Sequence, residues 1–323
     1  LRRFAYVDAK SDKEVVSALS AERNRVVPLA GGVDLLALMK DSILAPDAVV
    51  SLKSLDATID TGEGGLRIGA AATLTDLAEN ATVRRLYPAL ASVADEIATP
   101  QIRNQSTVGG NLMQRPRCWY FRNEEFVCLK KGGSRCHAVE GENQHHAIFG
   151  DGPCHIVHPS DLAVVCAAYG ARYRVLAPAG SRDIDAAEFF QMPNANLYGE
   201  TVLQPNEILT HVLLPAPPTR SAAYCVRVRR SFDWPLALAA VSLAMDFDTV
   251  LSARIVLGAV APIPWRVAAA ERALVGRTID EVSASDAAVT AVAGAKGLSG
   301  NGYKIQIART AVKRAILKAG GLL

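Results

Sequence analysis

Ala30-Gly31-Gly32-Val33-Asp34 joins an apolar run, Arg25-Val26-Val27-Pro28-Leu29, to a helical pattern that continues as Leu35-Leu36-Ala37-Leu38-Met39-Lys40. A strand that breaks at two glycines and restarts as a helix brings bare backbone to a point where the first helical N–H groups attract anions. A second stretch, Thr107-Val108-Gly109-Gly110-Asn111-Leu112, offers the same glycine pair with an added hydroxyl and amide. Neither loop is G-x-G-x-x-G or a Walker A loop, so no Rossmann or P-loop reading is licensed. Either pair alone would pass for a tight turn. The two together point to a diphosphate clamped between them.

Working outward, Ser11-Asp12-Lys13-Glu14 reads as a capping box for a helix over about 12–21. Ala48-Val49-Val50-Ser51-Leu52 reads as a second strand, so 1–56 forms a small α/β unit. A turn at Gly62-Glu63-Gly64-Gly65, a strand at Leu66–Gly69, a Thr73-capped helix at 74–78 and a Pro88-initiated helix to Ala98 follow. The polar, glycine-rich stretch Thr99–Leu112 reads as loop with a short strand or turn. Regularity returns after 158, with a helix at Asp161–Ala168 and strands at Ala171–Leu176 and Ile208–Leu214. Pro215-Ala216-Pro217-Pro218 is a linker. Beyond it lie strand-like runs at Ala223–Arg230, Ala240–Phe247 and Ala253–Val260, then helical patterns near 266–277 and 303–319. In the last, Ile305, Ala308, Val312, Ala315 and Ala319 share one face, with Arg309, Lys313 and Lys318 off it.

The composition bounds the function. At 323 residues the chain has room for two to three domains of roughly 100–200 residues. No apolar run approaches the roughly 20 residues of a membrane span. A net charge of +3 is too weak to argue for nucleic acid, and 6% aromatics give no base-stacking surface. Leu1–Tyr6 carries no long apolar run, so no secretory signal is expected.

The six cysteines are unevenly placed. Cys118, Cys128, Cys136 and Cys154 fall in 114–158, where periodicity disappears and His137, His145, His146, His155 and His158 collect. So long an irregular stretch inside a domain is usually functional. The spacing C-x9-C-x7-C-x17-C lacks the close pairs of zinc sites. Four thiolates on an irregular loop can instead ligate a 4Fe–4S cluster. Lys130, Lys131 and Arg135 would offset its charge, and Gly132-Gly133 would offer N–H groups to its sulfurs. Zinc, and unliganded or disulfide-bonded thiols, remain open on spacing alone. The histidines read mainly as solvated or packed residues. Cys166, in an apolar helical run, reads as a core residue, and Cys225 lies on a strand.

Taken in order, Ala30-Gly31-Gly32-Val33-Asp34-Leu35-Leu36, Gln101-Ile102-Arg103-Asn104 and Thr107-Val108-Gly109-Gly110-Asn111-Leu112 resemble the flavoprotein (medium) subunit of the molybdenum hydroxylases. That family includes xanthine dehydrogenase, carbon monoxide dehydrogenase and aldehyde oxidoreductases. The four-cysteine insertion resembles the subgroup with an additional 4Fe–4S cluster. Arg117-Cys118-Trp119-Tyr120-Phe121, His158-Pro159-Ser160-Asp161-Leu162-Ala163 and Pro264-Trp265-Arg266 look closer to the bacterial three-subunit aldehyde oxidoreductase than to 4-hydroxybenzoyl-CoA reductase.

The resemblance implies an α+β chain. A two-part FAD-binding α/β domain of the PCMH type (1–56 and 57–215, with the iron–sulfur insertion at 114–158) would precede a C-terminal α+β domain, 219–323, with a three-stranded antiparallel sheet and helices. It implies that Leu29, Ala30, Gly31, Gly32, Val33, Asp34, Leu35 and Leu36 wrap the FAD pyrophosphate. Thr107, Gly110 and Asn111 would complete that site, with Met113 near the isoalloxazine. Asp161 and Leu209 would touch the flavin, and Cys225 or Arg227 stands near the place of a family lysine. Cys118, Cys128, Cys136 and Cys154 would ligate the cluster. No catalytic residue is expected on this chain. Substrate oxidation would fall to a large molybdenum-cofactor subunit, with electrons passing through a small 2Fe–2S subunit to FAD. The external acceptor would be ferredoxin, quinone, oxygen or NAD. The compartment would be cytoplasmic, or periplasmic by co-export with a partner that carries a signal. The alternatives are the corresponding subunit of a 4-hydroxybenzoyl-CoA reductase-like or xanthine dehydrogenase-like enzyme, a self-contained flavin oxidase, and a zinc-stabilised non-enzymatic scaffold subunit.

Overall fold

The computed structural model describes residues 1–323 apart from Glu63 and Arg230. The turn expected at Gly62-Glu63-Gly64-Gly65 and the strand end expected at Arg230 therefore fall partly outside the described residues.

The first unit is a parallel sheet of β1 (Ala5–Val7), β2 (Val26–Leu29) and β3 (Ala48–Ser51), in the order β1-β3-β2. β3 is central because Val49 and Val50 are buried, as a strand covered on both faces requires. Helix Asp12–Ala18 buries Val15 and Val16. Its capping box is half formed. Ser11 accepts from Glu14 N, but the Glu14 carboxylate reaches Lys10 N instead of returning to Ser11.

The second unit is a five-stranded antiparallel sheet of β4 (Ile59–Gly62), β5 (Gly65–Gly69), β6 (Arg172–Ala177), β7 (Gly180–Asp185) and β8 (Ile208–Leu214), ordered β4-β5-β8-β6-β7. Helices Leu74–Glu79, Ala81–Leu86 and Pro88–Glu96 cover it with Asp161–Tyr169. Asp161–Tyr169 is apolar around nearly its whole circumference because it is covered on both sides. Val164 approaches Gly258 so closely that a Cβ there would sit 2.6 Å from it. This helix therefore joins the middle unit to the C-terminal one. Tyr87 Oη, buried, donates to Pro215 O at 2.6 Å and fixes the linker.

The C-terminal unit departs from expectation. Its sheet has four strands, not three: β9 (Arg220–Val226), β10 (Ala237–Asp246), β11 (Thr249–Gly258) and the two-residue β12 (Trp265–Arg266), ordered β12-β11-β10-β9. The extra edge strand is too short to show a period. The helix expected at 266–277 is confined to Ala268–Leu274, because Trp265–Arg266 pairs with β11. An additional helix, Glu281–Ala291, follows it, capped by Asp280 and buried through Ala284, Ala287 and Ala288. The last helix, Tyr303–Ala319, is as expected. Ala308, Val312, Ala315 and Ala319 face the sheet, and Arg309 and Lys318 are exposed.

Two further corrections bear on the site. The 99–112 stretch is helical, not strand or loop, as Pro100–Arg103 and Val108–Leu112. Thr99 and Thr107 cap those helices, and Gly109 of the second permits close approach to Ala70. The cysteine stretch is not wholly irregular, containing helix Trp119–Arg122 and a 3₁₀ turn, Leu129–Lys131.

Candidate functional site

The two glycine loops meet. Gly31 lies against Gln105, where an added Cβ would stand 1.9 Å from the carbonyl oxygen, and Gln105 Nε2 donates to Gly31 O at 3.1 Å. A Cβ on Gly110 would stand 3.8 Å from Ala30 Cβ. Gly32 has φ +75°, the left-handed conformation glycine tolerates. The amides of Gly31, Gly32, Val33 and Asp34 have no acceptor among the described residues, and all four residues are only half-buried. They form a cradle of donors suited to a diphosphate. The second loop plays a different part. The amides of Val108, Gly109, Gly110 and Asn111 are consumed by Ala72 O, Ala70 O, Thr107 Oγ1 and Thr107 O. It therefore lines the cleft with a surface free of side-chain bulk, while the first loop supplies the N–H groups.

Asp34 faces away from that cradle. Its carboxylate accepts from Arg115 N at 2.8 Å and pairs with Arg117 at 3.0 Å and Arg122 at 2.6 Å. Burial lowers the Arg117 pKa to about 10, against the pull of Asp34. These arginines flank Cys118, so the first glycine loop is tied to the cysteine segment. Leu29, Leu35 and Leu36 line the loop on its apolar side, and Leu36 stays partly exposed.

Cys118, Cys128, Cys136 and Cys154, far apart in sequence, line one cavity with Tyr120, Phe121, Lys130, His137, His146 and Ile156. The space between them is only about 10 Å³. The neighbouring Cys154 holds the Cys136 pKa low, at about 5, while Cys136 and burial drive Cys154 up. Burial pushes Cys118 up to about 11. None of the six cysteines is joined in a disulfide. The expected N–H donors are displaced: Gly132 N and Gly133 N bond to Leu129 O and Cys128 O. The polar neighbours that hold the thiol pKa values down are instead the backbone of Phe121 and Tyr120 at Cys118, of His155 and Ala138 at Cys136, and of Ile156 at Cys154. Of the expected counter-charges, Lys130 is buried and pairs with Glu200 at 2.8 Å, whereas Lys131 bonds Asn123 O and Arg135 pairs with exposed Glu140. Among the described residues no three histidine, cysteine or carboxylate donors converge closely enough to hold a single ion.

Residues 2–217 match the FAD binding domain in molybdopterin dehydrogenase, and residues 222–319 match the CO dehydrogenase flavoprotein C-terminal domain. The chain belongs to the FAD-binding subunits of the molybdopterin dehydrogenases. It is 38% identical to the aldehyde oxidoreductase FAD-binding subunit of Escherichia coli K12 over 85% of this chain and 86% of that one. It is 27% identical to the carbon monoxide dehydrogenase medium chain of Afipia carboxidovorans, covering 98% and 96%. Quinoline 2-oxidoreductase from Pseudomonas putida 86 superposes with a TM-score of 0.76 at 26% identity, over 99% and 98% of the two chains. This flavoprotein subunit is thus an oxidoreductase subunit of the molybdenum-hydroxylase type.

The other residues expected to contact the flavin lie on several different elements. Asp161, at the start of its helix, is buried, and that burial raises its pKa to about 7 despite nearby Arg227. Arg227 pairs with Glu96 at 2.9 Å, and Cys225 lies close to Asp161. Asn111 is buried and accepts from Ser160 Oγ at 2.7 Å, linking the second loop to Asp161. Met113 ends the second loop's helix and is half-buried, while Leu209 is buried in β8. Sequence reasoning missed Gln105, Glu200 and Lys304. The first joins the loops through a side-chain amide. Glu200 pairs with both Arg115 and Lys130. Lys304 donates to three carbonyls, of His145, His146 and Ala259, and its burial lowers its pKa to about 7. No local sequence signal marks a lysine as a buried clasp.

Proposed function

We propose that this subunit carries FAD across the cleft between Gly31–Asp34 and Thr107–Met113, and a 4Fe–4S cluster on Cys118, Cys128, Cys136 and Cys154. It would pass electrons between a large molybdenum-cofactor subunit with a small 2Fe–2S subunit and an external acceptor, in aldehyde oxidation. The observation that carries the cluster reading is the convergence of four thiols, with 9, 7 and 17 residues between them, on one cavity. The donor set is all thiol, and iron–sulfur clusters are held by cysteine thiolates. A four-iron cluster takes one thiolate at each corner, so its ligands need not crowd a single point as zinc's do. When bound, the flavin exchanges electrons singly or in pairs. The chain's own part is to hold: Gly31–Asp34 amides toward the diphosphate, Asn111 and Asp161 beside the cleft, and the Asp34–arginine pairs keeping the two sites in fixed register. The aldehyde reading rests on the 38% identity to the aldehyde oxidoreductase subunit. An absorption spectrum of the purified chain tests it. Flavin bands together with broad iron–sulfur absorption are expected, and flavin bands alone would remove the cluster.

A further inference from the structure

The cysteine cavity has a nitrogen among its sulfurs. His146 Nε2 stands 3.3 Å from Cys118 Sγ. The residue is 3% exposed, and its ring is packed edge-on by Trp119 and tilted against Tyr120. Its backbone is equally fixed: its N–H donates to Asn143 O at 2.9 Å, and its carbonyl accepts from Asn301 Nδ2 and Lys304 Nζ, both at 3.1 Å. The backbone of His146 is thus held from the C-terminal unit, and its ring is packed between Trp119 and Tyr120 beside the sulfur.

The second ring nitrogen decides the tautomer. His146 Nδ1 is buried with no partner among the described residues. A neutral imidazole carries one N–H. A proton on Nδ1 would bury an unused donor. A proton on Nε2 leaves only an unused lone pair and turns the donor onto Cys118 Sγ, the cheaper arrangement because orphaned buried N–H groups are rarer than under-used acceptors.

We propose that His146 is a positioning residue of the cluster, donating Nε2–H to the Cys118 sulfur and so raising the cluster's reduction potential. The inference rests on the reading of the four cysteines as cluster ligands. Reduction adds negative charge that spreads onto the ligand sulfurs, and hydrogen bonds to those sulfurs favour the more negative state. A side chain that donates to one sulfur therefore sets how readily this chain accepts an electron, without touching the flavin.

The test uses the full chain, with His146→Phe to remove the donor and keep the aromatic packing, and His146→Gln to retain an N–H. Iron content and a redox titration followed by electron paramagnetic resonance are the readouts. Both variants are expected to keep their iron. His146→Phe should disfavour reduction about tenfold, a fall of ~59 mV for one electron, and His146→Gln should recover most of that shift. A fully loaded His146→Phe at the wild-type potential overturns the proposal, as does His146→Gln shifted as far as His146→Phe. Should His146→Phe lose its iron, His146→Gln decides: loaded near the wild-type potential it supports the donor role, and iron-free it refutes it. A wild-type chain without iron refutes the cluster itself, before any variant is made.

Discussion

Gly31→Ala tests the contact on which the flavin cleft is built. The added methyl would fall 1.9 Å from Gln105 O and 2.8 Å from Gln105 C, both backbone atoms that cannot rotate aside. The loops must part by more than an ångström, breaking the Gln105 Nε2 hydrogen bond to Gly31 O. Such overpacking costs about 1–3 kcal/mol. The strain is relieved by opening the cleft, so the cost falls on the geometry that presents the Gly31–Asp34 amides. At about 1.4 kcal/mol per tenfold, FAD affinity should drop by about 5- to 150-fold. Flavin titration of the deflavinated chain measures it. Gly302→Ala is the control, since nothing stands within 4 Å of its Cβ and its φ is −57°. Wild-type affinity in Gly31→Ala would show that the two loops do not form the site together.

Other substitutions separate structural from cofactor roles. Asp161 has its pKa raised from 3.8 to about 7 by burial, so the cost of ionising it in the folded state grows as pH rises through that interval. Asp161→Asn should therefore stabilise the flavin-free chain at pH 8, by up to about 4 kcal/mol, in urea titrations, while weakening FAD binding. His158 is fully buried and its pKa falls from 6.5 to about 4 through desolvation. The stability gained by keeping it neutral is complete above 6.5 and lost as pH falls to about 4, roughly 3 kcal/mol in all. His158→Gln, which keeps an acceptor for Ser160 N, should flatten that limb of the pH–stability curve. Asp34→Asn removes the charge that holds Arg117 and Arg122 and should cost about 1.5–3 kcal/mol in thermal unfolding; an unchanged transition would deny the link between flavin loop and cysteine segment.

Much of this architecture is legible in the sequence where one residue type carries one physical task. The alanine and aliphatic stripe of 303–319 marks its helix to the residue, because a long amphipathic period averages out local noise. The apolar run of Ile208–Leu214 and the cap at Thr73 are equally direct. Short edge elements are not. Ala5–Val7 and Trp265–Arg266 are strands only because a neighbour supplies hydrogen bonds. Glu281–Ala291 buries alanines rather than large apolar groups, so its faces barely differ in hydrophobicity. Within the site, the glycine pairs could be read, but the division of labour between them could not. Whether an amide is free or consumed depends on Ala70 and Ala72, more than thirty residues away. The cysteines could be grouped, yet the adjacent glycines spend their N–H groups on Leu129 O and Cys128 O instead of the sulfurs.

The central claim is that one chain holds a flavin and a separate four-thiolate cluster. Iron, sulfide and flavin content of the purified wild-type chain, beside Cys136→Ser and Cys166→Ala, tests it most directly. Cys136 lines the shared cavity, and Cys166 is buried in the apolar core. The account predicts four irons with one FAD in the wild type and in Cys166→Ala, and loss of iron with FAD retained in Cys136→Ser. A zinc-loaded or metal-free wild type, or loss of both cofactors together in Cys136→Ser, would contradict it.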